Sequence, residues 1–171
     1  MKWLVLFLGV YSFYWVQAFL ICCGKGISMA VDKLLVAYDG SDGSRHALEM
    51  AASIAQVNKN AHLDLVYVVP IPLLNADQMA AFQSILDMMV SDGEDLLAAA
   101  TDELADDVVE RTDTLLVTGT NPASELLRLA EQRGYDLIVV GNRGLSGYKE
   151  YTGSVSHKVL AGSKIPVLVA K

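Results

Sequence analysis

Residues 29–171 predict an α/β domain, a single open sheet of five parallel strands covered by helices on both faces. An apolar segment outside the fold precedes it. Short, almost purely apolar runs recur along the chain, and stretches with helical apolar spacing lie between them. The first and second runs end in glycine- or proline-bearing turns, and the fourth enters a glycine-rich loop. Strands that read as continuous apolar runs are buried on both faces, as in a parallel sheet sandwiched between helices.

Each element follows in order. Lys33–Tyr38 is a short apolar run closed by Asp39-Gly40-Ser41-Asp42-Gly43, and so reads as a buried strand. Ser44–Val57 places Ala47, Leu48, Ala51, Ala52, Ile54 and Ala55 at helical spacing. Leu63–Val69 is a second strand, stopped by Pro70 and Pro72. A long helix is expected from about Asp77 to Glu110, with an apolar stripe of Phe82, Leu86, Met89, Leu96, Ala100, Leu104 and Val108 and a bend near Gly93. Thr114–Thr118 is a third strand. Asn121-Pro122 then opens a helix, since asparagine caps well and proline suits the first helical position. Gly134 ends that helix after Arg133. Asp136–Val140, a helix from Ser154 to Ala161, and a strand from Pro166 to Ala170 complete a βαβαβαβαβ order. The expected winding is Rossmann-like or flavodoxin-like, with strand order 3-2-1-4-5. Such sheets bind ligands beyond the carboxyl ends of their strands, where the strand order reverses.

Composition narrows the function. The chain has 171 residues, is 53% apolar and holds four prolines, so it has surface enough to bury and is not a disordered chain. Thirteen basic against 20 acidic residues give a charge of −7, which argues against a nucleic-acid binder. Only Cys22 and Cys23 are present, too few for a disulfide framework or a four-ligand zinc site. The rest folds without covalent staples, as cytoplasmic domains do.

Residues 1–28 stand apart. Trp3–Cys23 is an apolar run of 21 residues broken by Gln17, long enough for a membrane helix of roughly 20 residues. Three readings are open: sequence upstream of a true start at Met29, a membrane anchor, or a secretory signal lacking a small-x-small cleavage site. The first places the protein in the cytoplasm; the second tethers it to a membrane.

Two strand ends carry chemistry. After the fourth strand comes Gly141-Asn142-Arg143-Gly144-Leu145-Ser146-Gly147, and Gly153-Ser154 then opens a helix. Glycines let a backbone approach an anion, and free N–H groups at a helix start favour phosphate. Arg143 and Lys149 add positive charge, and the Ser154 and Ser156 hydroxyls can donate to phosphate oxygens. The same glycines also suit a tight strand-to-helix turn. The loop lacks the Gly-Lys-Ser/Thr end of a P-loop.

These residues together resemble the universal stress proteins, whose ATP-binding members carry Gly-x-x-Gly, nine residues, then Gly-Ser or Gly-Thr. Gly141-Asn142-Arg143-Gly144 and Gly153-Ser154 match that pattern, with eight residues between them instead of nine. If the intervening segment is helical, losing one residue rotates Gly153 and Ser154 by about 100° relative to Gly144. Leu35-Val36-Ala37-Tyr38-Asp39-Gly40-Ser41, Asn121-Pro122-Ala123 and Ile165–Val169 are similar to other family landmarks, so the resemblance spans roughly residues 30–171.

The resemblance implies ATP across the ends of strands one and four, with Mg2+ or Mn2+ bridging phosphate oxygens. Asp39 would lie near adenine and ribose, and the Val68 backbone would read adenine. Gly141, Arg143, Gly144, Gly153, Ser154 and Val155 would border the phosphates. From the residues alone, Asp39 is equally a turn-former at the first helix, and Val68 is plain core.

No catalytic constellation is evident. Ser154 and His157 share a helix face, without a nucleophile elbow or a partner acid. His46, His62 and His157 read as helix-surface residues, far apart and without nearby metal-ligand patterns. Between Asp77 and Asp113 lie 11 acidic residues and one basic, Arg111, which reads as a solvated face. The fifth strand is an apolar edge, and the family pairs there, so a homodimer through residues 165–170 is expected. The overall expectation is an ATP-binding, nucleotide-responsive regulatory protein of the stress response, with an unknown protein partner and no enzymatic role. The alternative is a nucleotide-free homodimeric scaffold.

Overall fold

Leu34, Leu35 and Val36 are fully buried, so the first apolar run lies at the centre of the sheet. The computed structural model describes residues 31–142 and 154–171. The elements are β1 (Lys33–Ala37), α1 (Asp42–Val57), β2 (His62–Pro70), α2 (Ala76–Asp102), α3 (Asp106–Val109), β3 (Thr112–Gly119), α4 (Pro122–Arg133), β4 (Leu137–Gly141), α5 (Ser154–Gly162) and β5 (Val167–Ala170). All four strand pairings are parallel, and the order is β3-β2-β1-β4-β5, as the sequence predicts.

Alternating side chains build two cores. Leu34, Val36, Leu63 and Leu65 pack with Ala47, Leu48, Ala51 and Ala55 of α1 and with Leu97, Ala100 and Val108. Leu35, Val66, Val68, Ile138 and Val140 face Ala123, Leu126, Leu129 and Ala130 of α4 and Val159 of α5. The period-two alternation along β1 thus commits its neighbouring residues to opposite layers.

The caps behave as their residue types require. Asn121 Oδ1 accepts from the backbone N–H of Ala123 at 3.1 Å, and Gly134 takes φ 65° behind α4. Asn75 and Gln78 form a reciprocal capping box at the start of α2.

The predicted helix to Glu110 is two helices. α2 ends at Asp102, and α3 begins three residues after Glu103. The break lets Val108 enter the α1 core while Leu97 and Ala100 hold the end of α2 there. No break falls at Gly93, through which α2 runs. A Cβ on Gly93 would lie 2.7 Å from the Tyr67 ring and 2.8 Å from Leu116, so this glycine admits the sheet's side chains against the helix. His62 is also corrected: it is the first residue of β2, not a helix-surface residue.

Arg111, alone among the acids, donates to the carbonyls of Ala61 (2.7 Å) and Ala55 (3.2 Å), and its Nε donates to Asp107 O (2.9 Å). It supplies the positive charge that the last turn of α1 lacks. Asp64, within β2, is 3% exposed. The Tyr135 hydroxyl donates to its Oδ2, and Arg133 Nη1 lies 3.7 Å from the same oxygen. Among the described residues no helix is long and apolar enough to cross a membrane. The anchor considered for residues 1–28 lies outside the described residues.

Burial, and then the Asp64 carboxylate, push the Tyr135 phenol above its ordinary range. The protonated phenol therefore contributes stability that is intact below about pH 10 and lost as pH rises beyond it. Tyr135→Phe should cost about 1–3 kcal/mol by leaving a buried carboxylate short of a donor. In denaturant melts, the gap between wild type and Tyr135→Phe should narrow above about pH 10.

Candidate functional site

β1 and β4 are neighbours in register, Val36 beside Val139, yet the chain leaves them for helices on opposite faces of the sheet. Their carboxyl ends therefore flank a crevice at the reversal of strand order. Asp39 and Gly40 stand at one side of it, and Gly141 and Asn142 at the other.

The β1 end is a braced turn. Ser41 caps α1, its Oγ accepting from Ser44 N at 3.3 Å, while Ser44 Oγ donates to Ser41 O at 2.9 Å. Asp39 Oδ1 accepts from both the backbone N–H (3.1 Å) and the hydroxyl of Ser41. Asp39 is thus a turn-former that steadies the cap, and its half-buried carboxylate borders the crevice. Gly40 takes φ 78°, and a Cβ there would meet Leu96 Cδ1 at 2.9 Å. Burial first, and then the negative charges of Asp39 and Asp92, raise the Tyr67 phenol above its usual range. Ser41 was not singled out by sequence reasoning, although Ser41-x-x-Ser44 before an apolar-periodic stretch is the signal that could have found it.

Val68 sits two residues beyond the last rung on the β1 side, Tyr38 N to Val66 O at 2.9 Å. His62 N bonds Asp32 O on the β1 side, whereas Leu63 N bonds Arg111 O on the other. By this alternation the Val68 N–H and C=O point toward β1's side, where β1 has already turned at Asp39. Val68 as a whole is 8% exposed, and its side chain is core.

At the β4 end, a Cβ on Gly141 would lie 2.3 Å from the Gly43 carbonyl carbon and 2.8 Å from Ser44 N. The α1 backbone fills the place of a side chain, so this glycine brings β4 and the start of α1 together. Asn142 N donates to Ala170 O at 2.7 Å. α5 begins at Ser154, which is exposed, followed by half-buried Val155. Ser156 is buried, and its Oγ donates to Asn142 O at 3.3 Å, tying α5 to the end of β4. Arg143, Gly144 and Gly153 lie outside the described residues, as does Lys149.

Asp39, Val68, Gly141, Ser154 and Val155 all stand at carboxyl ends of strands or at the start of the helix that comes next. The family model for the universal stress protein family matches residues 30–171. A Bacillus subtilis universal stress protein, YxiE, is 35% identical over 149 residues, covering 82% of this chain and 99% of that protein. The chain belongs to the universal stress protein family.

Solved members of the family share its architecture. The universal stress protein UspA from Lactobacillus plantarum superposes with a TM-score of 0.74 at 25% identity, covering 82% of this chain and 98% of its own. A universal stress protein solved in complex with cAMP superposes with a TM-score of 0.55 at 28% identity, covering 82% and 96%. Both universal stress proteins align over nearly their whole length.

Two substitutions test the local architecture. Gly141→Ala should destabilise by about 1–3 kcal/mol, because the helix backbone must retreat to admit the methyl group. Ser41→Ala removes the α1 cap and should cost about 1 kcal/mol in a chemical melt.

Proposed function

We propose that this universal stress protein binds an adenine nucleotide, ATP with Mg2+ or Mn2+, across the carboxyl ends of β1 and β4. Occupancy then alters the surface offered to a protein partner, making the protein a nucleotide-responsive regulatory module of the stress response in the cytoplasm. The observation that carries the reading is the Val68 backbone, which extends past the end of β1 pairing beside Asp39. A peptide edge directed past the end of β1 suits the hydrogen-bonding edge of a base. The cAMP-bound relative supports an adenine ligand.

The residues fit such a ligand in distinct ways. Asp39, held by Ser41, can accept from ribose hydroxyls, while the Val68 N–H and C=O read adenine. Gly141 lets the start of α1 close against the end of β4, and Ser154 begins a nine-residue helix, whose start suits phosphate. Arg143, Gly144, Gly153 and Val155 complete the phosphate border in this reading. The cation supplies charge neutralisation at the phosphates and is held through their oxygens. In this reading the protein acts as a binding module and not as an enzyme. Val167, Leu168 and Val169 of the edge strand β5 are half-buried, which suits a homodimer through residues 165–170.

A second reading, a nucleotide-free homodimeric scaffold, draws on the Gly141–Gly43 contact, which accounts for one loop glycine by packing alone. Mass analysis of nucleotide released from the purified full chain separates the two. ATP in wild type and its loss in Gly144→Val supports binding. No nucleotide in either protein, and no uptake on titration with ATP and Mg2+, supports the scaffold.

A further inference from the structure

We propose that His62, Asp64 and Asp113 form a divalent transition-metal site at the amino ends of β2 and β3, with zinc as the ion that fits. His62 and Asp64 alternate along β2 and so face the same side of the sheet. The parallel register then sets Asp113 of β3 directly beside Asp64. His62 Nε2 lies 3.0 Å from Asp113 Oδ2 and 3.9 Å from Asp64 Oδ1, and the three ligand atoms all lie within 4.8 Å of one another.

Coordination geometry selects the ion. Zinc bonds to imidazole nitrogen and carboxylate oxygen are about 2.1 Å, so tetrahedral donors stand roughly 3.4 Å apart. The two histidine separations bracket that value, and small side-chain rotations close the site. Calcium prefers six to eight oxygens, whereas this cluster offers an imidazole and two carboxylates. Three protein donors leave a fourth position for water.

Asp64 is held in place as a ligand. It is 3% exposed inside an apolar strand, so its orientation is set by its partners. Tyr135 and Arg133 serve Oδ2, and Oδ1 is turned toward the His62 ring. Tyr135 and Arg133 then do what outer partners of a metal ligand do, fixing its orientation. Two carboxylates against one guanidinium leave the cluster a net negative charge that a dication neutralises. The His62 and Asp113 side chains are 41% and 72% exposed, so an ion can enter from solvent.

The site lies toward the end of β2 opposite the nucleotide crevice, with His62 about 20 Å and Asp64 about 13 Å from Val68 at the usual rise per residue. It is independent of the proposed nucleotide function. Metal there pins β2 to β3 and stabilises the fold by mass action.

Zinc titration of the full chain tests this, with Cys22→Ser and Cys23→Ser in every sample to remove competing thiols. The readouts are the His62 ring 15N shifts and Tm. Zinc should shift His62 Nε2 saturably and raise Tm, while equal Mg2+ should do neither. His62→Ala and Asp113→Asn, both at exposed side chains, should keep the metal-free fold and each weaken zinc binding by at least about tenfold. The proposal is overturned if zinc leaves the His62 ring unmoved, or if neither substitution changes the affinity.

Discussion

Close approach of the end of β4 to the start of α1 governs the geometry of the whole sheet end. β1 and β4 must pair in register while their succeeding helices depart to opposite faces. α1 can begin so close to β4 only because Gly141 presents hydrogen where any other residue presents a Cβ, 2.3 Å from the Gly43 carbonyl carbon. At the same end of the sheet, hydrogen bonds among Asp39, Ser41 and Ser44 brace the start of α1. Helix packing therefore accounts for glycine at position 141.

Two further constraints hold the scaffold beneath it. One is the division of β1 side chains between two cores, Leu34 and Val36 to α1 and Leu35 to α4. The other is a set of polar ties at the amino ends of the strands. Asp136 Oδ2 accepts from the backbone N–H groups of Asp32 and Lys33 at 3.0 and 2.9 Å. Arg111 ties the close of α1 to the entry of β3. These ties sit at the end of the sheet opposite the crevice.

The strand order, the parallel sheet and most element boundaries were legible because each rests on a local signal: apolar runs, Asn121-Pro122, Gly134. The α2–α3 break was not, since Leu104 and Val108 continue the helical stripe, and only tertiary packing decides that Val108 belongs to a separate turn. Gly93 invited a bend, yet its use is contact with Tyr67 and Leu116, partners distant in sequence. At the site, Asp39 and Val68 drew notice through resemblance to the family, but Ser41's bracing role did not. Asp113 and His62 lie 51 residues apart, and only strand register brings them together. Arg143, Gly144 and Gly153 lie outside the described residues, so Gly141, Ser154 and Val155 carry the structural view of the loop.

The proposed function joins a crevice made by topology to a ligand suited to its backbone and helix-end groups. Location matters to it as much as binding. An amide NMR titration of the full chain with ATP and Mg2+ tests both at once. Saturable shifts should concentrate at Asp39–Ser41, Val68–Val69, Gly141–Asn142 and Ser154–Ser156. Saturation without perturbation of these amides, or shifts centred on the amino ends of the strands, would contradict nucleotide binding in this crevice.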